Sequence, residues 1–302
     1  MFIPIEFQKA FEQSQQSAIR IHAKYQPNDT NPLASKFGGT PFWPDNSPEK
    51  SPENSAEGTP QKTPDKPVDS TGRPLYLLAQ INFAEINLPS ALPKDGLLQI
   101  FIPMYDPYYG ANFDEDEDGG DNKNSADDIN NHARNDAQAV RYYYWEASQL
   151  PTLDTTNPST IKGEGEIDNE ALVPVFGAHY LTFESAIDYP NIDTIELAAA
   201  MQTNPFNVLE DVTVSDKEAE QFYDAIQRTA TAEGHKLLGA PYFTQTDPRT
   251  DTSYQLLLQI DTDMDGDNDI MWGDNGVGHF FIRPDDLRNK NFASLWFHWD
   301  CH

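Results

Sequence analysis

Apolar residues in this chain come in short, dense runs separated by long polar stretches. Leu75 to Ile81 and Gly96 to Ile102 are almost continuously apolar, so they read as strands covered on both faces. Val140 to Glu146, carrying Arg141-Tyr142-Tyr143-Tyr144-Trp145, reads as an aromatic-rich strand. Val173 to Phe183 reads as another, bent at Pro174 and Gly177. Near the C-terminus, Leu295, Phe297, Trp299 and Cys301 alternate with Trp296, His298, Asp300 and His302, which puts the two sets on opposite faces of a strand. Helical spacing is read in two places. Over residues 5–25, Phe7, Ala10, Phe11, Ala18 and Ile21 share a face, and Pro27 and Pro32 end the segment. Over 215–233, Ser215 and Glu218 form a capping box, Ala219, Phe222, Tyr223 and Ile226 supply an apolar face, and Gly234 stops the helix.

These elements recur. Lys36-Phe37-Gly38-Gly39-Thr40-Pro41-Phe42-Trp43 returns as Lys236-Leu237-Leu238-Gly239-Ala240-Pro241-Tyr242-Phe243. Leu77-Leu78-Ala79-Gln80-Ile81-Asn82 returns as Leu256-Leu257-Leu258-Gln259-Ile260-Asp261, and Gly96 to Pro103 returns at Gly276 to Pro284. Three blocks in one order imply an internal duplication. The expected fold is α+β and β-rich, one domain over 1–302, in which two related helix–strand–strand halves, about 5–105 and 215–302, share a core. Two insertions interrupt the pattern at 45–73 and 106–138. The first is dense in Pro, Ser, Glu and Thr. The second carries Asp114-Glu115-Asp116-Glu117-Asp118. Both read as mobile loops, the first because it holds almost no apolar side chain to offset ordering entropy, the second as a solvated acidic loop.

Charge narrows the function classes. The chain has 49 acids against 20 bases, a net charge of −29. That field repels nucleic-acid phosphates and anionic lipid, and it favours a basic protein partner or a cation. Cys301 is the single cysteine, so no intrachain disulfide can form. Met1 to Glu6 lacks the basic and apolar regions of a signal peptide, and no run is long enough to cross a membrane. A cytoplasmic protein is expected.

The best chemical motif is Asp261-Thr262-Asp263-Met264-Asp265-Gly266-Asp267-Asn268-Asp269. Acids at alternate positions and Gly at the sixth match the start of a Ca²⁺ loop, where the Gly allows the turn that converges the oxygens. The twelfth position is Trp272 where a bidentate Glu is expected, with Asp274 two residues further on as a substitute. The metal candidates are thus Asp261, Asp263, Asp265, Asp267, Asp269 and Asp274, with Ca²⁺ as the cation. The competing reading is a solvated acidic turn between two strands. His298, Asp300 and His302, with His279 or His179, form a second candidate set, of transition-metal type. Cys301 is a weak nucleophile candidate, since its side of the strand faces inward. Tyr142 to Trp145 with Trp43, Trp272 and Trp296 read as packing more readily than as a ligand groove. Arg73, Arg141 and Arg283 read as partners of local carboxylates.

Gly39-Thr40-Pro41-Phe42-Trp43-Pro44, Leu78 to Asn82, Gly96-Leu97-Leu98, Leu257 to Asp261, Met271-Trp272-Gly273-Asp274, Phe280-Phe281-Ile282 and Asp300-Cys301 together resemble the YwqG-like family, domain-of-unknown-function family 1963. The resemblance covers nearly the whole chain. It implies a bacterial, cytoplasmic protein, a mixed or mostly-β fold with internal duplication, and no assigned activity. Some members look associated with secreted-toxin gene neighbourhoods. The leading expectation is therefore a non-enzymatic binding protein with an acidic surface, for instance an immunity-type partner of a basic effector. The alternatives are a Ca²⁺-binding module through 261–274 and a small-molecule enzyme with a pocket between the halves.

Overall fold

The computed structural model describes residues 9, 11–44, 65–111, 139–150, 170–192, 194–202, 215–229, 232–250 and 252–302. Most of both insertions, including the acidic run 114–118, lies outside the described residues.

Ten strands form one sheet: β1 (Gln16–Gln26), β2 (Lys36–Gly38), β3 (Tyr76–Asn82), β4 (Leu97–Ile102), β5 (Arg141–Trp145), β6 (Ala178–Asp188), β7 (Lys236–Leu238), β8 (Gln255–Asp261), β9 (Val277–Ile282) and β10 (Trp296–Asp300). Their order is β10-β9-β8-β7-β1-β6-β2-β3-β4-β5, and every neighbouring pair is antiparallel. Among the described residues, the helices α1 (Ile195–Met201), α2 (Asp216–Thr229) and α3 (Pro284–Arg288) lie between strands. The expected α+β arrangement of helix–strand–strand halves is therefore wrong: the framework is a single curled antiparallel sheet.

The main cause of that error is residues 16–26. The helix was expected over 5–25; residues 9 and 11–13 are helical, but 16–26 form β1, which pairs with β6 over its whole length, from Gln16 opposite Asp188 to Gln26 opposite Ala178. Ile19 and Ile21 go to the inner core, while His22 and Lys24 are exposed. This is the two-residue period of a strand. Backbone bonds to β6 on one side and β7 on the other outweigh the loose helical spacing of Ala18 and Ile21. β6 also lies further along the chain than the expected 173–183. The strands expected near 75–81, 96–102, 140–146 and 295–302 are present, as is the helix near 215–233.

Strand lengths of 11, 3, 7, 6 and 5 residues occur twice, in β1–β5 and again in β6–β10. The register shifts at matching points, between Leu77 and Ala79 in β3 and between Leu256 and Leu258 in β8. Such bulges bend a sheet. The two long strands are exchanged: β1 pairs with β7 and β6 with β2. The sheet is thus continuous across its centre.

The curl brings the ends of the sheet together. Tyr142 on β5 meets Phe280 on β9 edge to face at 6.4 Å, Tyr144 meets Phe292 at 5.0 Å, and Lys290 Nζ donates to Glu146 Oε2 at 2.8 Å. Phe37, Ile81, Ile100, Leu237, Ile260 and Phe280 belong to the inner core thus enclosed. The outer face carries separate caps. Phe42, Leu97 and Trp145 cover the first half, and Phe243, Leu256, Phe281 and Trp296 cover the second. This two-sided cover explains why β4 and β9 are buried at every position. A satellite cluster of Phe11, Ile192, Leu197, Met201, Ala225 and Ile226 seats α1 and α2.

Candidate functional site

Two buried lysines occupy matching places in the repeats. Lys36 Nζ donates to both Asp29 carboxylate oxygens at 2.8 Å. Lys236 Nζ donates to Asp188 Oδ2 at 2.8 Å, to Ala240 O at 2.6 Å and to Ala232 O. All three ammonium donors of Lys236 are thereby used. Burial, opposed by the Asp188 charge, still holds Lys236 down to about 8. Gln80 and Gln259 repeat a second device. Each accepts through Oε1 from the N–H after a proline, Phe42 at 3.0 Å and Tyr242 at 2.9 Å. The Gly-x-Pro-aromatic turns are therefore pinned from inside, and these buried groups are scaffold. The repeated Lys signals this in the sequence; its acidic partners, Asp29 and Asp188, do not.

The acidic segment after β8 folds back over the inner face. Asp263 and Ile270 form a bridge, and Ile270 also bridges to Val175. Phe176 N donates to Asp269 O at 2.9 Å, and Met271 N to Pro174 O at 2.7 Å. Asn268 is clamped to β1, accepting from Tyr25 N at 2.9 Å and donating to Ala23 O at 3.1 Å. Trp272, at the position where a Ca²⁺ loop needs Glu, is fully buried; its indole lies where a Cβ on Gly278 would have to go, 2.4 Å away.

The six candidate carboxylates have different surroundings. Asp261 accepts from Gly234 N at 2.7 Å and from Thr262 N at 2.8 Å. Asp263 accepts from Asp265 N at 2.9 Å and from Asn268 Nδ2 at 2.7 Å, and it contacts His235 Nε2 at 3.4 Å, which is long for a hydrogen bond. The His235 contact, with those two donors, lowers Asp263 to about 2 despite partial burial. Asp265, Asp267, Asp269 and Asp274 are exposed. Among the described residues, no group of three or more His, Cys, Asp or Glu stands ready to hold a metal ion.

Two histidines fasten this segment. His235 Nδ1 accepts from Asp261 N at 2.9 Å, and His179 Nε2 accepts from Asp269 N at 3.2 Å. An amide N–H can only donate, so the remaining nitrogens, His235 Nε2 and His179 Nδ1, carry the protons. Burial pushes His179 below the usual imidazole value, against the attraction of Asp263. His235 was not singled out in the sequence reading, and no local pattern there marks it.

The outer surface of the folded-back segment is mixed in character. Leu172, Phe176 and Met264 are 45, 39 and 54% exposed, large values for apolar side chains. The backbone bonds above hold residues 174–176 against 269–271, so Phe176 lies beside the segment that carries exposed Asp265, Asp267 and Asp269. Exposed apolar side chains and exposed carboxylates thus both occur along 172–176 and 264–269.

On the outer face of the second half, β9 and β10 bring His279 opposite His298, with ring centroids 6.0 Å apart. Asp300 follows on the same face of β10; burial pushes its carboxyl up to about 6, although Gln245 N donates to it at 2.9 Å. His179 belongs to the inner face and does not join them; His302 is exposed, and its charge partly opposes the rise of the Asp300 carboxyl. Cys301 is partly buried and packs against the inner core. The aromatic run of β5 is packing: Trp43 meets Tyr143 at 4.9 Å and Trp145 at 5.3 Å. Arg73 pairs with Asp69, and Arg283 lies over Tyr254. Arg249, overlooked in the sequence, is the more deeply held cation, bonded to both Glu196 oxygens at 2.6 and 2.7 Å and to Asp247.

A curled, pseudo-repeated antiparallel sheet with buried lysine pins defines the class of scaffold. The chain belongs to the family described as domain of unknown function (DUF1963), whose profile matches residues 35–301. That family includes the YwqG-like proteins, so the resemblance read from the motifs holds. No curated protein matches the sequence. Among the described residues, no helix is long and apolar enough to cross a membrane.

Proposed function

We propose that this protein is a non-catalytic binding protein whose acidic–apolar surface along 172–176 and 264–269 receives a basic, amphipathic segment of a partner protein. The observation that carries the reading is the joint exposure of Leu172, Phe176 and Met264 beside Asp265, Asp267 and Asp269. Apolar anchors beside charges of one sign favour a partner of opposite charge with apolar side chains of its own. The net charge of −29 would speed its approach, and that steering weakens with salt. Neutralisation of a basic effector is one form of this function.

A labelled Lys/Leu peptide and its Glu/Leu counterpart test the proposal by fluorescence anisotropy. The basic peptide should bind and the acidic one should not. Reversing charge at Asp265, Asp267 and Asp269 together should weaken binding by roughly tenfold or more. Phe176→Ser with Met264→Ser should weaken it as well. Unchanged affinity in both variants would remove this surface as the site.

A further inference from the structure

We propose that the edge of β6 around Phe183 and Ser185 is a docking site for an extended, basic segment of a partner protein, which adds to the sheet in line with β2. The site shares no residue with the surface along 172–176 and 264–269 and stands independently of it.

β6 has 11 residues and β2 only 3. On one side β1 pairs with the whole of β6. On the other, β2 pairs with Ala178 to Tyr180 alone, and Ser35 O extends the row by accepting from Leu181 N at 3.0 Å. Backbone groups of alternate residues point to alternate sides of an antiparallel strand. Leu181 points towards β2, so Phe183 and Ser185 do too, while Thr182 and Glu184 point to β1. Among the described residues, nothing pairs with the N–H and C=O groups of Phe183 and Ser185 on that side. Ser185 and neighbouring Glu184 are exposed.

The second half shows what such an edge takes. Lys236 lies opposite Arg20 as Lys36 lies opposite Tyr180, so Ile21, Ala23 and Tyr25 of β1 correspond to Leu181, Phe183 and Ser185 of β6. Ile21 N donates to His235 O at 2.9 Å, which repeats the Leu181 bond. Beyond it the short β7 leaves the same gap, and the carboxamide of Asn268 fills it. Asn268 accepts from Tyr25 N at 2.9 Å and donates to Ala23 O at 3.1 Å. A carboxamide carries the donor and acceptor of a peptide group. In the first half, the segment between β3 and β4 makes no hydrogen bond to β6 among the described residues. The edge that one half closes with an amide of its own chain thus stands open in the other, and an added peptide backbone supplies the same pair of groups.

Charge selects the partner. A second copy of the chain would bring another −29 to the edge, whereas a basic segment is attracted by that field and by Glu184, whose carboxylate also meets His22 at 3.1 Å. Ile187, 58% exposed on the same face as Phe183 and Ser185, adds an apolar contact.

The test uses the full chain and an alternating Lys/Val peptide, followed by fluorescence anisotropy and amide hydrogen exchange. In the free chain the Phe183 and Ser185 amides should exchange fast and those of Thr182 and Glu184 slowly; the peptide should slow the first two. Methylating one alternate set of the peptide's backbone nitrogens should abolish binding, and methylating the other set should not, although the side chains are the same. Ser185→Pro removes an N–H that β1 does not use and should weaken binding by roughly tenfold or more. Reversing charge at Asp265, Asp267 and Asp269 should leave the protection of Phe183 and Ser185 in place. Slow exchange of both amides in the free chain overturns the proposal, as does equal binding of the two methylated peptides, which needs no variant to fold. Loss of protection in the triple reversal places the peptide on the other surface and likewise overturns it. Protection that grows with protein concentration, without peptide, makes the occupant a second copy and overturns the choice of partner.

Discussion

Replacing Lys236 by Met removes the ammonium and keeps most of the side chain's volume. It leaves the Asp188 carboxylate, whose side chain is 0% exposed, without its 2.8 Å partner. The carbonyls of Ala240 and Ala232 lose a donor at the same time. Breaking a buried pair by removing one partner costs about 3–5 kcal/mol, mainly because the other charge stays buried. Arg20, 3.6 Å from the other Asp188 oxygen, offsets part of that. We therefore expect a loss of about 3 kcal/mol, toward the lower end of that range. Adding Asp188→Leu should recover most of it, since two apolar side chains need no partner. The same change at Lys36 should cost less: Asp29 is 12% exposed in its side chain and keeps bonds from Thr40 N at 2.7 Å and Tyr180 Oη at 2.9 Å. Urea unfolding followed by tryptophan fluorescence measures all four proteins. A Lys236→Met loss below about 1 kcal/mol, or a double variant no better than the single, would refute the desolvation argument.

Two further outcomes follow from local geometry. Gly239→Ala should cost more than about 2 kcal/mol, because φ is +79° and a Cβ would lie 2.4 Å from Asp188 Oδ2 and 2.6 Å from Ala18 Cβ. Gly266→Ala, at φ +63° with nothing within 4 Å, should cost only about 1 kcal/mol of backbone strain; equal melting temperatures would contradict the steric part. Asp263, lowered from 3.8 to about 2, stabilises the fold above pH 3.8 and loses that contribution as pH falls through about 2. Asp263→Asn should therefore cost about 1–2 kcal/mol at pH 7 and nothing near pH 2, and a loss independent of pH would show that the carboxylate's charge is not involved.

Local periodicity was enough to place β3, β4, β5 and β10, because each carries its own apolar run or clean alternation and Gly or Pro marks its ends. The alternation of β10 also placed His298 and Asp300 on one face and Phe297 and Trp299 on the other, as the packing shows. β1 was legible too, in the outward series Arg20, His22 and Lys24, but the helical spacing of Phe7, Ala10 and Phe11 before it dominated the reading. For the acidic segment, the carboxylates were visible but not their surroundings. Asp261 is bonded to the amide of Gly234, and Asp263 lies against His235, both far off in the chain.

The sequence by itself determined the family, the recurring blocks and the strands with self-contained patterns, since each of these is written within a few neighbouring residues. Only the tertiary structure decided that the halves exchange their long strands, which acid each buried lysine meets, and that His279 lies opposite His298 where the first half sets Gln99 opposite Tyr143. Those facts depend on pairing between residues remote in sequence. Backbone hydrogen bonding and desolvation settle that pairing once the whole sheet has closed.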